Sequence, residues 1–147
     1  MNPAVIDASV ILRWAFVDET DRDGAVAVAE ALQAGSLVAS APPNFLLEVA
    51  ASLVLAIRGD RISRQTADVI MGALSVIAID ETNPDRFAEA AMEAALRVGV
   101  RVPDAAYIET ARRAQCTLIT ADPALLDGAL RFGISALALD DVPARET

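Results

Sequence analysis

Four carboxylates stand in stretches of this chain that carry almost no other charge. Asp7 is the only charged side chain from Met1 through Leu12, Glu48 the only one from Ala39 through Ile57, and Asp122 the only one from Ala114 through Leu126. Asp104 has Arg101 and Glu109 near it in sequence, but it stands at a helix start behind Pro103. An ionised acid in apolar surroundings is costly unless it is paired, hydrogen-bonded or bound to a metal. Four acids brought together would repel one another, so without a cation at least one holds a proton. What such a set suits is a hard, oxygen-preferring divalent ion, Mg²⁺ or Mn²⁺.

The remaining composition narrows the chemistry further. The chain has 147 residues and a formal net charge of −9, with no histidine and no lysine, so that all 12 cations are arginines. That excludes a Ser-His-Asp triad, an imidazole base, a His-ligated zinc, a Schiff base and a phosphate-loop lysine. The single Cys116 makes neither an intrachain disulfide nor a Cys-rich metal cage, and it fits a reducing cytoplasm. A metal can supply the missing base by lowering the pKa of a bound water. Two such ions roughly 4 Å apart can clamp the attacking and leaving oxygens of an in-line phosphoryl displacement. The chemistry on offer is metal-dependent phosphodiester hydrolysis.

Each acid also has an ordinary structural reading. Asp122 before Pro123 and Asp104 behind Pro103 suit helix N-termini as caps or dipole partners. Asp7 could cap as well, although Ser9 is available for that role. Glu48 lies at least a turn into its helix, where the alternative is a buried ion pair with an arginine. A helix apolar nearly all round, as this one is, is expected to be buried.

The elements that must position these acids follow from hydrophobic periodicity. Short apolar runs predict strands at Ala4–Ile6, Leu37–Ser40, roughly Val76–Ile79, Thr117–Thr120 and Ser135–Leu139. Ser9 is expected to cap a first short helix, and Thr20 or Asp21 to open a second that ends before Gly35. Helices are further expected over Asn44–Ile57, after Ser63, from Asn83-Pro84 to Val98 before Gly99, over Pro103–Ala114, and over Pro123–Leu130. This alternation predicts an α/β fold: a three-layer α/β/α sandwich around a parallel sheet of about five strands. One domain over residues 1–140 is expected, with 141–147 as a frayed tail. The longest uncharged apolar run, Val69–Ile79, is too short to span a membrane, which takes about 20 residues. No secretory signal is apparent, and a cytoplasmic protein is expected.

The motifs Val5-Ile6-Asp7-Ala8-Ser9-Val10, Leu47-Glu48-Val49-Ala50, Pro103-Asp104-Ala105-Ala106-Tyr107 and Ile119-Thr120-Ala121-Asp122 resemble those of PIN-domain ribonucleases. More narrowly they are similar to the VapC-type toxins of bacterial toxin–antitoxin pairs, over nearly the whole chain. The resemblance implies a homodimer, Mg²⁺- or Mn²⁺-dependent endonucleolytic cleavage of RNA, and inhibition by a cognate antitoxin whose peptide lies across the cleft. It implies that Asp7 and Asp104 are the principal metal-binding aspartates. Glu48 and Asp122 would hold metals directly or through water, and Thr120 would orient an acid or a water. Many relatives carry asparagine three residues after the glutamate, where this chain has Ala51.

The charge of −9 argues against broad nucleic-acid affinity, which needs cations to neutralise phosphates. RNA contact is expected at a small arginine rim, with Arg13 first and Arg58, Arg61 and Arg64 behind it. The aromatic residues, Tyr107 among them, read as core or dimer interface rather than base contacts. The rival class is a catalytically silent PIN-like module that regulates by binding protein. A receiver domain and a haloacid-dehalogenase-type phosphatase each want a lysine that is absent.

Overall fold

Five short strands line up side by side: β1 (Asn2–Ile6), β2 (Leu37–Ser40), β3 (Ile79–Asp80), β4 (Thr117–Thr120) and β5 (Ala136–Ala138). Their order is β3-β2-β1-β4-β5, and every neighbouring pair is parallel. Parallel neighbours need long crossovers, and helices supply them here. These are α1 (Ala8–Ala15), α2 (Arg22–Gln33), α3 (Phe45–Arg58), α4 (Arg64–Val76), α5 (Phe87–Val98), α6 (Val102–Ala114) and α7 (Pro123–Phe132). The computed structural model describes residues 2–77, 79–81 and 84–144.

The helices fall into two groups, α1 packing on α2, α3 and α4, and α5, α6 and α7 packing together, so the sheet is the middle of three layers. Its centre is dry: Val5, Ile6 and Leu118 are fully buried, with Val10, Ile11, Phe45 and Ile108 against them. A fully buried side chain of this kind contributes roughly 1.5–3 kcal/mol.

The topology fixes where chemistry can sit. The chain leaves the central strand β1 for β2 and β3 on one side, then returns to add β4 and β5 on the other. The order therefore reverses between β1 and β4, which opens a crevice at their carboxyl ends. Ile6 lies opposite Ile119, and the Asp7 N–H donates to the Ile119 carbonyl at 3.1 Å, so the two strands finish nearly level.

Several elements differ from expectation for local reasons. The third strand was expected over Val76–Ile79, but α4 runs on through Val76, which is exposed, and the strand is Ile79–Asp80. Asp7, not Ser9, caps α1. Ser63 does cap α4, accepting the Thr66 N–H at 3.1 Å. Helix α3 is not buried all round: Phe45, Val49, Leu53 and Ala56 face the core, while Leu47 and Leu55 are each 68% exposed. Its N-terminus is capped from afar, the Leu46 N–H donating to Glu81 Oε1 at 2.6 Å. Helix α5 begins at Phe87; Asn83, expected at its start, lies outside the described residues. After β5 the chain makes a 3₁₀ turn, Leu139–Asp141, with Leu139 buried, and residues 145–147 lie outside those described.

Candidate active site

Asp7 is the anchor of the crevice. It is only 6% exposed, at the end of the central strand and at the N-terminus of α1. Its Oδ1 accepts the Ser9 N–H at 3.2 Å, and its Oδ2 accepts both the Ser9 hydroxyl and the Thr120 hydroxyl at 2.6 Å. These are short, charge-assisted distances. Both hydroxyls are fixed in turn, since Ser9 Oγ accepts the Ala121 N–H and Thr120 Oγ1 accepts the Asp122 N–H, each at 3.0 Å. Asp7 is thus bound to the β4–α7 turn by a closed network that holds its carboxylate in one orientation.

Asp122 ends that turn and caps α7, its Oδ1 accepting the Ala124 N–H at 2.9 Å. Asp104 sits in the first turn of α6, half-buried, with the Arg101 guanidinium 3.7 Å away. Glu48 belongs to the first turn of α3. The residue is exposed, but its carboxylate reaches inward and accepts the Tyr107 hydroxyl on Oε2 at 2.7 Å. Tyr107 is buried, and its own oxygen accepts the Ala8 N–H at 3.3 Å.

The acids act on one another. Burial raises the Glu48 carboxyl above its ordinary value; the Tyr107 hydrogen bond opposes this, and the charges of Asp7 and Asp104 add to it. Burial also raises Asp104, with Arg101 opposing and the charges of Asp122 and Asp7 reinforcing. Burial, with Asp7 and Glu48 beside it, pushes the Tyr107 phenol far above its usual range, so it remains a donor. Two carboxyls raised by burial, with the neighbouring acids adding to it, form a site that a cation would relieve. Among the described residues, however, no three acidic or sulfur-bearing side chains form a finished metal cage. The donor chemistry fits a hard divalent ion, all oxygen and no nitrogen or sulfur.

A PIN-domain profile matches residues 4–129. The chain belongs to the PIN-domain family. PIN domains are typically metal-dependent nucleases. Among solved structures, PAE2754 from Pyrobaculum aerophilum superposes with a TM-score of 0.69 at 18% identity, covering 95% of this chain and 90% of that one. FitAB bound to an IR36 DNA fragment gives a TM-score of 0.60 at 12% identity, covering 97% and 99%. A domain of a functionally unknown protein from Methanocaldococcus jannaschii gives 0.53 at 18%, covering 100% and 95%. Identities this low establish a shared fold. No curated protein matches the sequence.

Within this PIN fold, Asp7, Glu48, Asp104 and Asp122 come to one end of the sheet, and Thr120 joins them through Asp7. Arg13, expected at an RNA-binding rim, is instead held by Asp21, its Nε donating to both carboxylate oxygens at 2.9 and 3.0 Å. Asp21 borders a small cavity of about 110 Å³ together with Thr120 and Asp122. The cation beside the acids is Arg101, 81% exposed. Ser9 and Tyr107 are members of the site that their sequence positions did not reveal. Beside Glu48 opens a larger apolar hollow of about 590 Å³, walled by Pro42, Pro43, Leu47, Phe87 and Pro103.

Proposed function

We propose that this chain is a divalent-metal-dependent endoribonuclease of the VapC toxin type, held in check by a cognate antitoxin. One observation carries the reading: Asp7, Glu48, Asp104 and Asp122 share an electrostatic neighbourhood at the switch point of the sheet, with Glu48 and Asp104 raised by burial first and by the neighbouring acids second. Asp7 and Asp104 would hold Mg²⁺ or Mn²⁺, and Glu48 and Asp122 would hold it directly or through water. The ion would supply Lewis acidity and a nucleophile active at neutral pH. Ser9 and Thr120 keep Asp7 oriented, and Tyr107 keeps Glu48 oriented. Arg101, exposed at the rim, would meet a phosphate of the RNA strand.

The resemblance along the chain supports a homodimer and an antitoxin partner. Exposed apolar side chains such as Leu47 and Leu55 on α3 are of the kind that protein interfaces cover. No helix among the described residues is long and apolar enough to cross a membrane.

The test is cleavage of single-stranded and structured RNA by the purified, antitoxin-free chain. Activity is expected with Mg²⁺ or Mn²⁺ and is expected to vanish in EDTA. Asp7→Asn and Asp104→Asn should each reduce it by at least about 10²-fold, the order seen when a principal electrostatic group is removed. Full activity in either variant removes that residue from its role, and activity in EDTA overturns the metal mechanism. A second reading, a silent PIN module that binds protein, draws on the apolar hollow beside Glu48 and the exposed Leu47 and Leu55. It predicts no cleavage under any metal and no Mn²⁺ uptake.

A further inference from the structure

We infer that Tyr107 is a positioning residue for Glu48, a buried hydroxyl on α6 that ties α3 and the backbone following Asp7 into one site. The inference rests on the reading of these acids as a metal-dependent nuclease centre. Tyr107 follows Asp104 by three residues on α6, so the two side chains share a face. Its hydroxyl accepts the Ala8 N–H, the amide directly after Asp7, and donates to Glu48 Oε2. One phenol therefore touches the backbone that carries Asp7, the side chain of Glu48 and the helix that carries Asp104.

The hydroxyl has a single proton, and Glu48 takes it. Among the described residues, that bond is the only hydrogen bond to the Glu48 side chain. Glutamate is among the side chains with most rotamer freedom, and Glu48 stands on an exposed helix surface. Without the phenol, no other hydrogen bond among the described residues holds this carboxylate over the crevice. With it, one lone-pair site of Oε2 is taken, and Oε1 is the oxygen with both of its sites open to a ligand. The ring fills core space that phenylalanine would fill equally well, so the oxygen is what the site requires.

The experiment is a double-mutant cycle on the full chain: wild type, Tyr107→Phe, Glu48→Gln and the double variant. Mn²⁺ binding is followed by electron paramagnetic resonance, and kcat and KM are measured on one RNA. Groups that orient a metal ligand are typically worth 10–100-fold in affinity or activity. Tyr107→Phe is expected to weaken Mn²⁺ binding about tenfold and to lower kcat by about 10–100-fold, leaving KM for RNA nearly unchanged. In the Glu48→Gln background the loss should be clearly smaller, limited to what the freed Ala8 N–H costs. Equal losses in both backgrounds, or no loss in either, overturn the inference while leaving the nuclease reading intact. A wild-type chain that binds Mn²⁺ without cleaving RNA overturns the nuclease reading, and the Mn²⁺ cycle still decides the role of Tyr107. A wild type that takes up no Mn²⁺ overturns both. Should Tyr107→Phe fail to fold, the crystal structure of the Mn²⁺-loaded wild type decides: Glu48 Oε2 stays on Tyr107, or it has turned away and the inference falls.

Discussion

Asp7 shows how a charge can be buried without an ion pair: three donors from two residues surround it, and both hydroxyls are themselves held by backbone amides. The isolation of Asp7, Glu48 and Asp122 in apolar stretches was legible in the sequence, because an unpaired acid there needs a reason, and Asp104 stood out by its place behind Pro103. The donors were not legible. Ser9 looks like a cap because serine before an apolar helix usually is one, and Tyr107 looks like core because its ring does pack there. Arg13 misleads differently, since its partner Asp21 lies beyond a turn whose path no local pattern fixes. The raised carboxyls yield a stability prediction. A carboxyl raised in the folded state binds protons more readily there than in the unfolded chain. Its contribution is fully present below the ordinary carboxylate range and is lost as pH rises through the raised value. Metal-free Asp104→Asn is freed of that penalty and loses only a long, exposed contact with Arg101, of little worth. It is expected to melt a few degrees above wild type at alkaline pH, with roughly 2–4 °C for each kcal/mol relieved. Thermal melts in EDTA should show the gap closing on acidification below the carboxylate range. A gap that widens there overturns the assignment of repulsion at this site.

At the scale of elements, strands β1, β2 and β4 and helix α4 could be read closely because each is bounded by strong local signals. The edges could not. Strand β3 has two residues and exists by pairing Ala39 with Ile79 and Ser40 with Asp80, a tertiary fact that no run of apolar residues announces. The burial of α3 was overestimated for a related reason, because an all-apolar helix does not disclose which face its neighbours leave open. Close approach is a further thing sequence hides. Gly24, in the first turn of α2, faces the Leu139–Asp141 turn, and a Cβ built there would lie 2.1 Å from the Leu139 carbonyl oxygen. Backbone cannot yield as a flexible side chain can, so Gly24→Ala must push α2 off the turn. Overpacking of this kind costs about 1–3 kcal/mol and sometimes more. Gly72, inside α4, is the control: a Cβ there meets nothing within 4 Å. Gly72→Ala should therefore stabilise by roughly 0.5–1 kcal/mol through helix propensity. Urea unfolding measures both, and shifts of the same sign in the two variants would refute the packing account.

Over the whole molecule, the charge of −9 understates how little positive surface is free. Among the described arginines, only Arg22, Arg58 and Arg97 stand outside an ion pair, and of these Arg22 donates to the Trp14 carbonyl while Arg97 stacks on Phe132. Arg112 and Arg113, which look like plain surface residues in the sequence, converge on the buried Glu109 and hold its carboxyl below the usual range. An RNA strand approaching this protein meets acids whose counter-ions are already spent, so its phosphates depend on a metal at the crevice and on Arg101. A basic peptide meets the opposite situation. Its cations would be drawn to the same crevice without any metal, and on the proposed reading an inhibitory antitoxin segment would use this chemistry. An arginine-rich peptide should therefore inhibit cleavage in competition with the divalent ion. Its affinity should fall steeply as NaCl rises from about 0.05 to about 0.5 M, because the screening length shrinks about threefold over that range. Isothermal titration across the salt series measures this. Affinity indifferent to salt, or inhibition unrelieved by added Mg²⁺, would mean that inhibition does not come from cations lying against Asp7, Glu48, Asp104 and Asp122.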